Sequence, residues 1–515
     1  MSRSDLTSSY LYSLQQEKQR LEREIQHATD NSHTPTDDFE VGAHSQQALE
    51  QDYHLNITHQ DVLLSPSRTV YLGPGSMARL LERVLKRMVH WCLENNVPMP
   101  DRLLPDQSSW SIQAEHSTTV KSFVITHDPR KLELQSLVPA STQRALIDHY
   151  FKTVSSEYTF LPSELEPPLL VHENPLRWYS ANKDEPGGFA MSIVFAISST
   201  LVTRDVDSNL SIISTRCLEE VRMVAQRTQS LGDPIESTRW TCTALGALAL
   251  CELINPLFGQ LWDLLGKALS TLDDLRQEYE LIHREMDDDF RRLERSLLKM
   301  ESATALHFRR PSPFCAMRLR TISEEASSSG HLPDELTVAS HLLDLAEKFT
   351  ISPRPPESTF ERLIPVSMQL TSINSPISIH SATLYTALHP LMTNSDAASK
   401  GILNDSSMRL FHVIAHSASA VIDHFARLDG GRKIISLWMA ADRVLEAGLV
   451  WASYLMYHRI TTPGYRPSDS IGTRVAMSPV LKVSALLASF SARWNSATAH
   501  VQAWETVVEL LWSLV

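Results

Sequence analysis

"VYLGPGSMARLLERVLKRMVHWCLE", residues 70–94, marks where the folded body of the chain begins and what it is built from. A short extended run ends in the turn Gly73-Pro74-Gly75, and Ser76 stands where a hydroxyl can cap a helix N-terminus. Beyond it Leu80, Leu81, Val84 and Met88 recur at steps of three and four, which gives an amphipathic helix with one apolar side. The same periodicity returns from Ser141 onward with few strand signals. Helices are expected over 141–157, 188–203, 210–229, 236–254, 257–283, 287–307, 334–349, 407–427, 432–458, 478–493 and 498–514. The fold class read from this pattern is all-α. Stretches 308–332, 350–377 and 459–477, dense in Pro, Ser and Thr, read as loops or disorder, 97–140 reads as a connector, and no repeat of fixed period is found.

Upstream of the body, residues 29–69 are rich in Asp, Gln, Ser, Thr and His and read as a flexible linker. Before it, in "YLYSLQQEKQRLEREI" (10–25), Leu11, Leu14, Lys18, Leu21 and Ile25 alternate steps of three and four. That is the a/d seam of a short coiled coil, and residues 1–28 are assigned to it. Lys18 at an a position restricts register, and Glu17 would face Glu22 of a second copy in a parallel pair, which favours a different partner over self-pairing. The competing reading is a solvated amphipathic helix laid on its own domain. Residues 70–515 form the large helical domain.

With 43% hydrophobic residues over 515 positions the chain can bury a large core. A net charge of -13 argues against a surface that tracks phosphates. The N-terminus carries no charged-then-apolar leader, and the longest apolar window, "FAMSIVFAISSTLV" (189–202), stops at Arg204, short of a membrane span. A soluble, intracellular protein without membrane contact is expected. Five scattered cysteines (Cys92, Cys217, Cys242, Cys251, Cys315) suit reduced thiols, so the glycosylation sequons at Asn56, Asn209 and Asn404 are read as inert.

Motifs for chemistry are weak. "DDLRQE" (273–278) and "EMDDDF" (285–290) could hold magnesium and a diphosphate, as in isoprenoid synthases. Helical spacing, however, sends Asp273 and Glu278 to divergent faces, and Asn404-Asp405 lacks the partners of a second metal site. Asp287 to Asp289 stand where acidic residues complement the positive end of a helix dipole. His412 and His416 form an i, i+4 pair, but Val413 replaces the Glu of a zinc-hydrolase helix. "GPGS" (73–76) lacks the Lys-Ser/Thr end of a phosphate loop, and no nucleophile elbow is present. No cofactor, no metal and no catalytic residue is expected.

"RRLERSLLKMESATALHFRRP" (291–311) resembles the signature helix in the middle homology region of fungal zinc binuclear-cluster transcription factors. Arg291 and Arg292 match its opening, Arg310 and Pro311 its close, and Glu301 takes the place of the usual Asp. Arg295 and Arg309 depart from the family's tryptophan and glycine. Other segments follow in the family's order. "VYLGPGS" and "ALIDHYFKTVSSEYTFLP" (145–162) resemble its opening turn and first helix, and "LWDLLGKALSTLDDL" (261–275), with Trp262 and Gly266, its W-x-x-x-G-x-A helix. "LWMAADRVLEAGLVWASYLM" (437–456) and "SPVLKVSALLASFSARWNSATAHVQAWETVVELL" (478–511) resemble its last helices. The signature region spans about 141–330.

The resemblance implies a nuclear transcriptional regulator, not an enzyme, whose helical domain answers to an effector or coregulator. Its C-terminal helices are most similar to members that control secondary-metabolite gene clusters. In such regulators a six-cysteine zinc cluster precedes the coiled coil, whereas this chain has no Cys-x-x-Cys pair and begins at the coiled coil. DNA contact is therefore expected to be indirect, through a protein partner held by the coiled coil. A naturally headless regulator, a reading frame missing its first exon and a deliberately shortened chain all fit. No basic cluster reads as a nuclear import signal. Arg291, Arg292 and Arg310 are expected to be salt-bridged scaffold, and Trp262 with Gly266 a packed helix contact. The other classes considered are an all-α magnesium-dependent synthase and a helical scaffold with no transcriptional role.

Overall fold

The structure, a computed structural model, describes residues 137–308 and 405–514, with breaks at 183–184, 205–208, 227–233, 257–259, 462–469 and 495–496. It also describes Leu81, Val84, Leu85, Met88, Val89, Cys92, Leu93, Met317 and Arg318. All belong to one compact unit, Ile57–Val515. Of the described residues 86% are helical and none lies in a strand. The protein is all-α. The coiled-coil positions Leu11, Leu14, Lys18, Leu21 and Ile25, the linker, the expected helix at 334–349, and Arg310 with Pro311 lie outside the described residues.

Twelve α-helices are described. The first group is α1 (Ala140–His149), α2 (Glu166–Val171), α3 (Pro175–Ala181), α4 (Pro186–Thr203), α5 (Asn209–Gln226), α6 (Pro234–Ile254), α7 (Leu261–Leu281) and α8 (Asp288–Phe308). The second is α9 (Asp405–Gly430), α10 (Leu437–Thr461), α11 (Ser470–Ser491) and α12 (Thr498–Leu514). Within the first group α4 packs on α1, α3, α5 and α6, and α6 on α5 and α7; within the second, α10 packs on α9, α11 and α12. From the opening stretch of the body, Leu81, Val84, Leu85, Met88 and Cys92 are buried at helical spacing.

Helix α4 sits at the centre of the first group. By length and composition it could cross a bilayer, yet 83% of it is buried in protein, which makes it a core helix. Phe189, Ile193, Val194, Phe195 and Ile197 are all buried, each worth roughly 1.5–3 kcal/mol when removed from water. Most of its hydroxyls are satisfied locally, that of Ser199 being left without a partner. Ser198, Thr200 and Thr203 donate to the carbonyls of Val194, Ala196 and Ser199 at 2.6, 2.7 and 2.8 Å. A helix that bonds its own hydroxyls can be buried on every side at little polar cost. The Thr200 and Ser214 hydroxyls, 2.7 Å apart, then tie it to α5.

Several boundaries differ from expectation. Residues 163–181, where the sequence shows no helical period, form a 3-10 turn (Ser163–Leu165) followed by α2 and α3, short helices with proline in the first turn. Tyr150–Val154 extends α1 as a π turn, with the Ser155 N–H reaching back to the Tyr150 carbonyl at 3.0 Å. The stretch 459–477, read as loop, contains the end of α10 and the start of α11, which begins at Ser470 and runs through Pro479. Ser478-Pro479 looks like a helix start, but the helix here continues on its N-terminal side without the one hydrogen bond that proline cannot donate.

Helix α10 starts at Leu437, later than its periodicity, because α9 ends in a Schellman motif. The Arg432 N–H bonds Asp429 and the Lys433 N–H bonds Leu428, with Arg432 at φ 52°. Helix α7 ends the same way: the His283 N–H reaches Glu280, the Arg284 N–H reaches Tyr279, and His283 sits at φ 53°. In both motifs a side-chain-bearing residue takes the left-handed position that glycine fills at least cost.

Candidate functional site

The signature helix α8 is anchored at both ends. At its start Asp287 caps it, Oδ1 accepting the Phe290 N–H at 2.8 Å. The other carboxylate oxygen accepts from Tyr279 Oη at 3.0 Å and pairs with Arg239 of α6. Burial pulls the Asp287 carboxyl upward, and the Phe290 amide and Arg239 more than reverse this, so its pKa lies below the usual range. Asp289 accepts from the backbone and hydroxyl of Ser163 at 3.2 and 3.0 Å. Arg292 reaches Glu166 at 2.8 Å and Asp289 at 3.5 Å, which fastens α8 to α2. Exposed Arg291 pairs with Asp288 at 2.9 Å within its own turn. Glu294, nearly buried, takes Arg276 of α7 and, at 2.7 Å, Arg318. Glu301 is buried farther along the helix.

The two acidic stretches do not converge. Asp273 accepts from Gln277 at 3.2 Å on its own helix, Asp274 is exposed, and Glu278 accepts from Thr238 of α6 at 3.3 Å. Asp287 to Asp289 point to three different sets of partners. Among the described residues no group of three His, Cys, Asp or Glu side chains could hold a metal ion. His412 and His416 lie edge to face, their ring centroids 4.3 Å apart, and His412 Nδ1 is 2.7 Å from Tyr454 Oη. Trp262 packs half-buried against the core.

Gly266 corrects the expectation of a packed helix contact. It is exposed, and nothing lies within 4 Å of where its Cβ would be. Close packing through glycine occurs elsewhere: a Cβ at Gly246 would stand 2.9 Å from Phe160, and one at Gly448 2.8 Å from Trp504.

The far end of α8 enters a polar junction that sequence reasoning missed. His307 Nε2 lies 3.1 Å from Asp442 Oδ2 of α10, and His500 Nε2 of α12 lies 2.7 Å from the other oxygen, Oδ1. With Asp442 ionised, both Nε2 atoms carry their proton and donate to it. Burial pulls the Asp442 carboxyl upward, but hydrogen bonds from both imidazoles hold it far below the ordinary range. Burial pushes His307 down, Asp442 opposes this, and Arg443 adds to the lowering. Next along α10, Arg443 Nη1 donates to Glu446 Oε2 at 2.7 Å, with both side chains buried. Beside the junction Trp438 Nε1 donates to the Leu253 carbonyl at the end of α6, 2.8 Å away, and the Trp438 ring meets His307 edge-on at 4.8 Å.

Arg204, at the end of α4, completes the seam: it donates to the Ile434 carbonyl at 2.8 Å while its own carbonyl accepts from Asn255 at 3.1 Å. At this junction one carboxylate is shared by two imidazoles. Cys92, Cys217, Cys242 and Cys251 are buried, and burial raises the Cys251 thiol to about 12 and the Cys242 thiol further. Periodicity cannot reveal this junction, since its histidines, aspartate and arginine come from helices far apart in sequence. The chain matches no protein-family model, no curated protein and no solved structure.

Proposed function

We propose that the chain is a transcriptional regulator of the fungal zinc-cluster type, nuclear and non-enzymatic, whose DNA contact is made by a protein partner joined through the N-terminal coiled coil. The observation that carries this reading is the order of five family-like segments, beside the signature helix, along one chain. In the structure, α1, α7, α8, α10, α11 and α12 carry the signature and four of these, and VYLGPGS lies outside the described residues. The ion pairs of Arg291 and Arg292 are consistent with a scaffold role for the signature helix. Its helical domain answers to an effector or coregulator, and a secondary-metabolite gene cluster is the proposed target. The synthase alternative requires Asp273, Asp274 and Glu278 on one cavity facing a second acidic helix, and the separate partners of these carboxylates give it no support. A helical scaffold with no transcriptional role would share this fold and differ in location and in promoter occupancy.

The test is chromatin immunoprecipitation of the tagged chain from cells that express it, beside the double variant Leu14→Asp with Leu21→Asp. Promoter enrichment that the variant loses, while its body remains folded by circular dichroism, is the expected result. Enrichment that survives the double variant would remove the coiled coil from the proposal. Absence from chromatin altogether would remove the regulator.

A further inference from the structure

Several polar groups, some of them titratable, cross the seam between α1–α8 and α9–α12. The groups acting on His307 are Asp442, Arg443 and Glu446 from α10 and, across Asp442, His500 from α12; α6 contributes the uncharged Leu253–Trp438 tie. Two further histidines face the seam: His149 of α1 beside Arg204, and His424 of α9, acted on by Arg427 and by Glu157 from the first group.

We propose that this junction is a proton-operated joint: at neutral pH His307 and His500 hold Asp442 and keep α10 seated on α8, and acidification releases the α9–α12 group locally without unfolding either group. The setting of His307 gives the direction. Its ring is buried against the Trp438 indole and beside the Arg443 guanidinium, so an imidazolium there is held where little water reaches. Burial, with Arg443 adding to it, holds the His307 pKa below its ordinary value in the closed joint, whereas an opened His307 titrates near its normal pKa. Stability from this group is therefore complete above about pH 6.5 and is lost as the pH falls through that value. Asp442, held low, stays ionised throughout and contributes no change in that window.

Hydrogen exchange by mass spectrometry on the full chain at about pH 7.5 and about pH 5.5, normalised to the unfolded chain at each pH, tests it. In the wild type, protection of peptides over 300–308 and 437–450 should fall by up to about tenfold, while α5 and α7 keep theirs. His307→Gln, which still donates to Asp442 but cannot titrate, should lose about that tenfold of pH dependence. His149 and His424 contribute equally to both proteins. Asp442→Asn should leave the same peptides weakly protected at both pH values. Wild-type protection that does not change with pH, or that falls equally in every helix, overturns the joint even where a variant fails to fold. So does a His307→Gln protein that keeps the full wild-type slope.

Discussion

Gly266 and Gly448 both lie inside α-helices, and the same change to alanine should move stability in opposite directions at the two sites. Alanine is favoured over glycine in a helix interior by about 0.8–1 kcal/mol. At Gly266 nothing opposes that gain, because the space around its Cβ is open. At Gly448 the added carbon would stand 2.8 Å from Trp504 Cζ3, 3.0 Å from Cη2 and 3.2 Å from Val483 Cγ1. Trp504 is buried, and its indole N–H is bound to Ser484 Oγ at 3.0 Å, so the ring cannot swing aside without losing that bond. Overpacking of this kind costs about 1–3 kcal/mol, which puts Gly448→Ala between neutral and about 2 kcal/mol destabilised, and Gly266→Ala about 1 kcal/mol stabilised. Urea unfolding of each variant followed by far-UV circular dichroism measures the difference. A Gly266→Ala protein less stable than wild type would show that this glycine packs against something after all. A Gly448→Ala protein stabilised as much as the Gly266 variant would refute the packing described for α10 and α12.

Three further outcomes are expected. Arg432→Gly and His283→Gly should each stabilise by roughly 1 kcal/mol in thermal or urea unfolding, because glycine takes the left-handed position at less cost; a loss would mean that the replaced side chain supplies more than the strain it imposes. Trp438→Phe keeps most of the ring but strands the Leu253 carbonyl, and should cost about 1–3 kcal/mol, with little change expected if water reaches that carbonyl. Cys92, Cys217, Cys242 and Cys251 should resist iodoacetamide in the native protein and react only in denaturant, as peptide mapping would show; rapid native labelling of Cys242 or Cys251 would contradict their burial.

Much of the fold is legible in the sequence because several helices carry a clear period, and α4 and α6, apolar nearly all round, are long enough to read as buried helices. The starts and ends of 188–203, 210–229, 236–254, 287–307 and 498–514 fall within a few residues of α4, α5, α6, α8 and α12. The errors have local causes. Ser478-Pro479 mimics a helix start, which hides the first turns of α11 from a reading of the sequence. The left-handed turn at Arg432 delays α10 beyond what hydrophobic spacing predicts. Residues 166–181 form helices of six and seven residues, too short for a period to emerge. The Asp287 cap on α8 was readable from its position ahead of an apolar-patterned helix. The His307–Asp442–His500 junction was not, because each member sits singly on its own helix and only tertiary packing brings them together.

The tie between Trp438 and the Leu253 carbonyl bears on how this molecule can be divided. A fragment ending after α8 would bare the final carbonyls of α6, the Arg204 guanidinium and the His307 ring at once, together with the apolar surface beneath them. A fragment beginning at α9 would expose Trp438 and leave Asp442 without one of its two imidazoles. Expression of either piece alone should give an aggregating product, so preparations for crystallography or binding work need both sets of helices on one polypeptide or co-expressed.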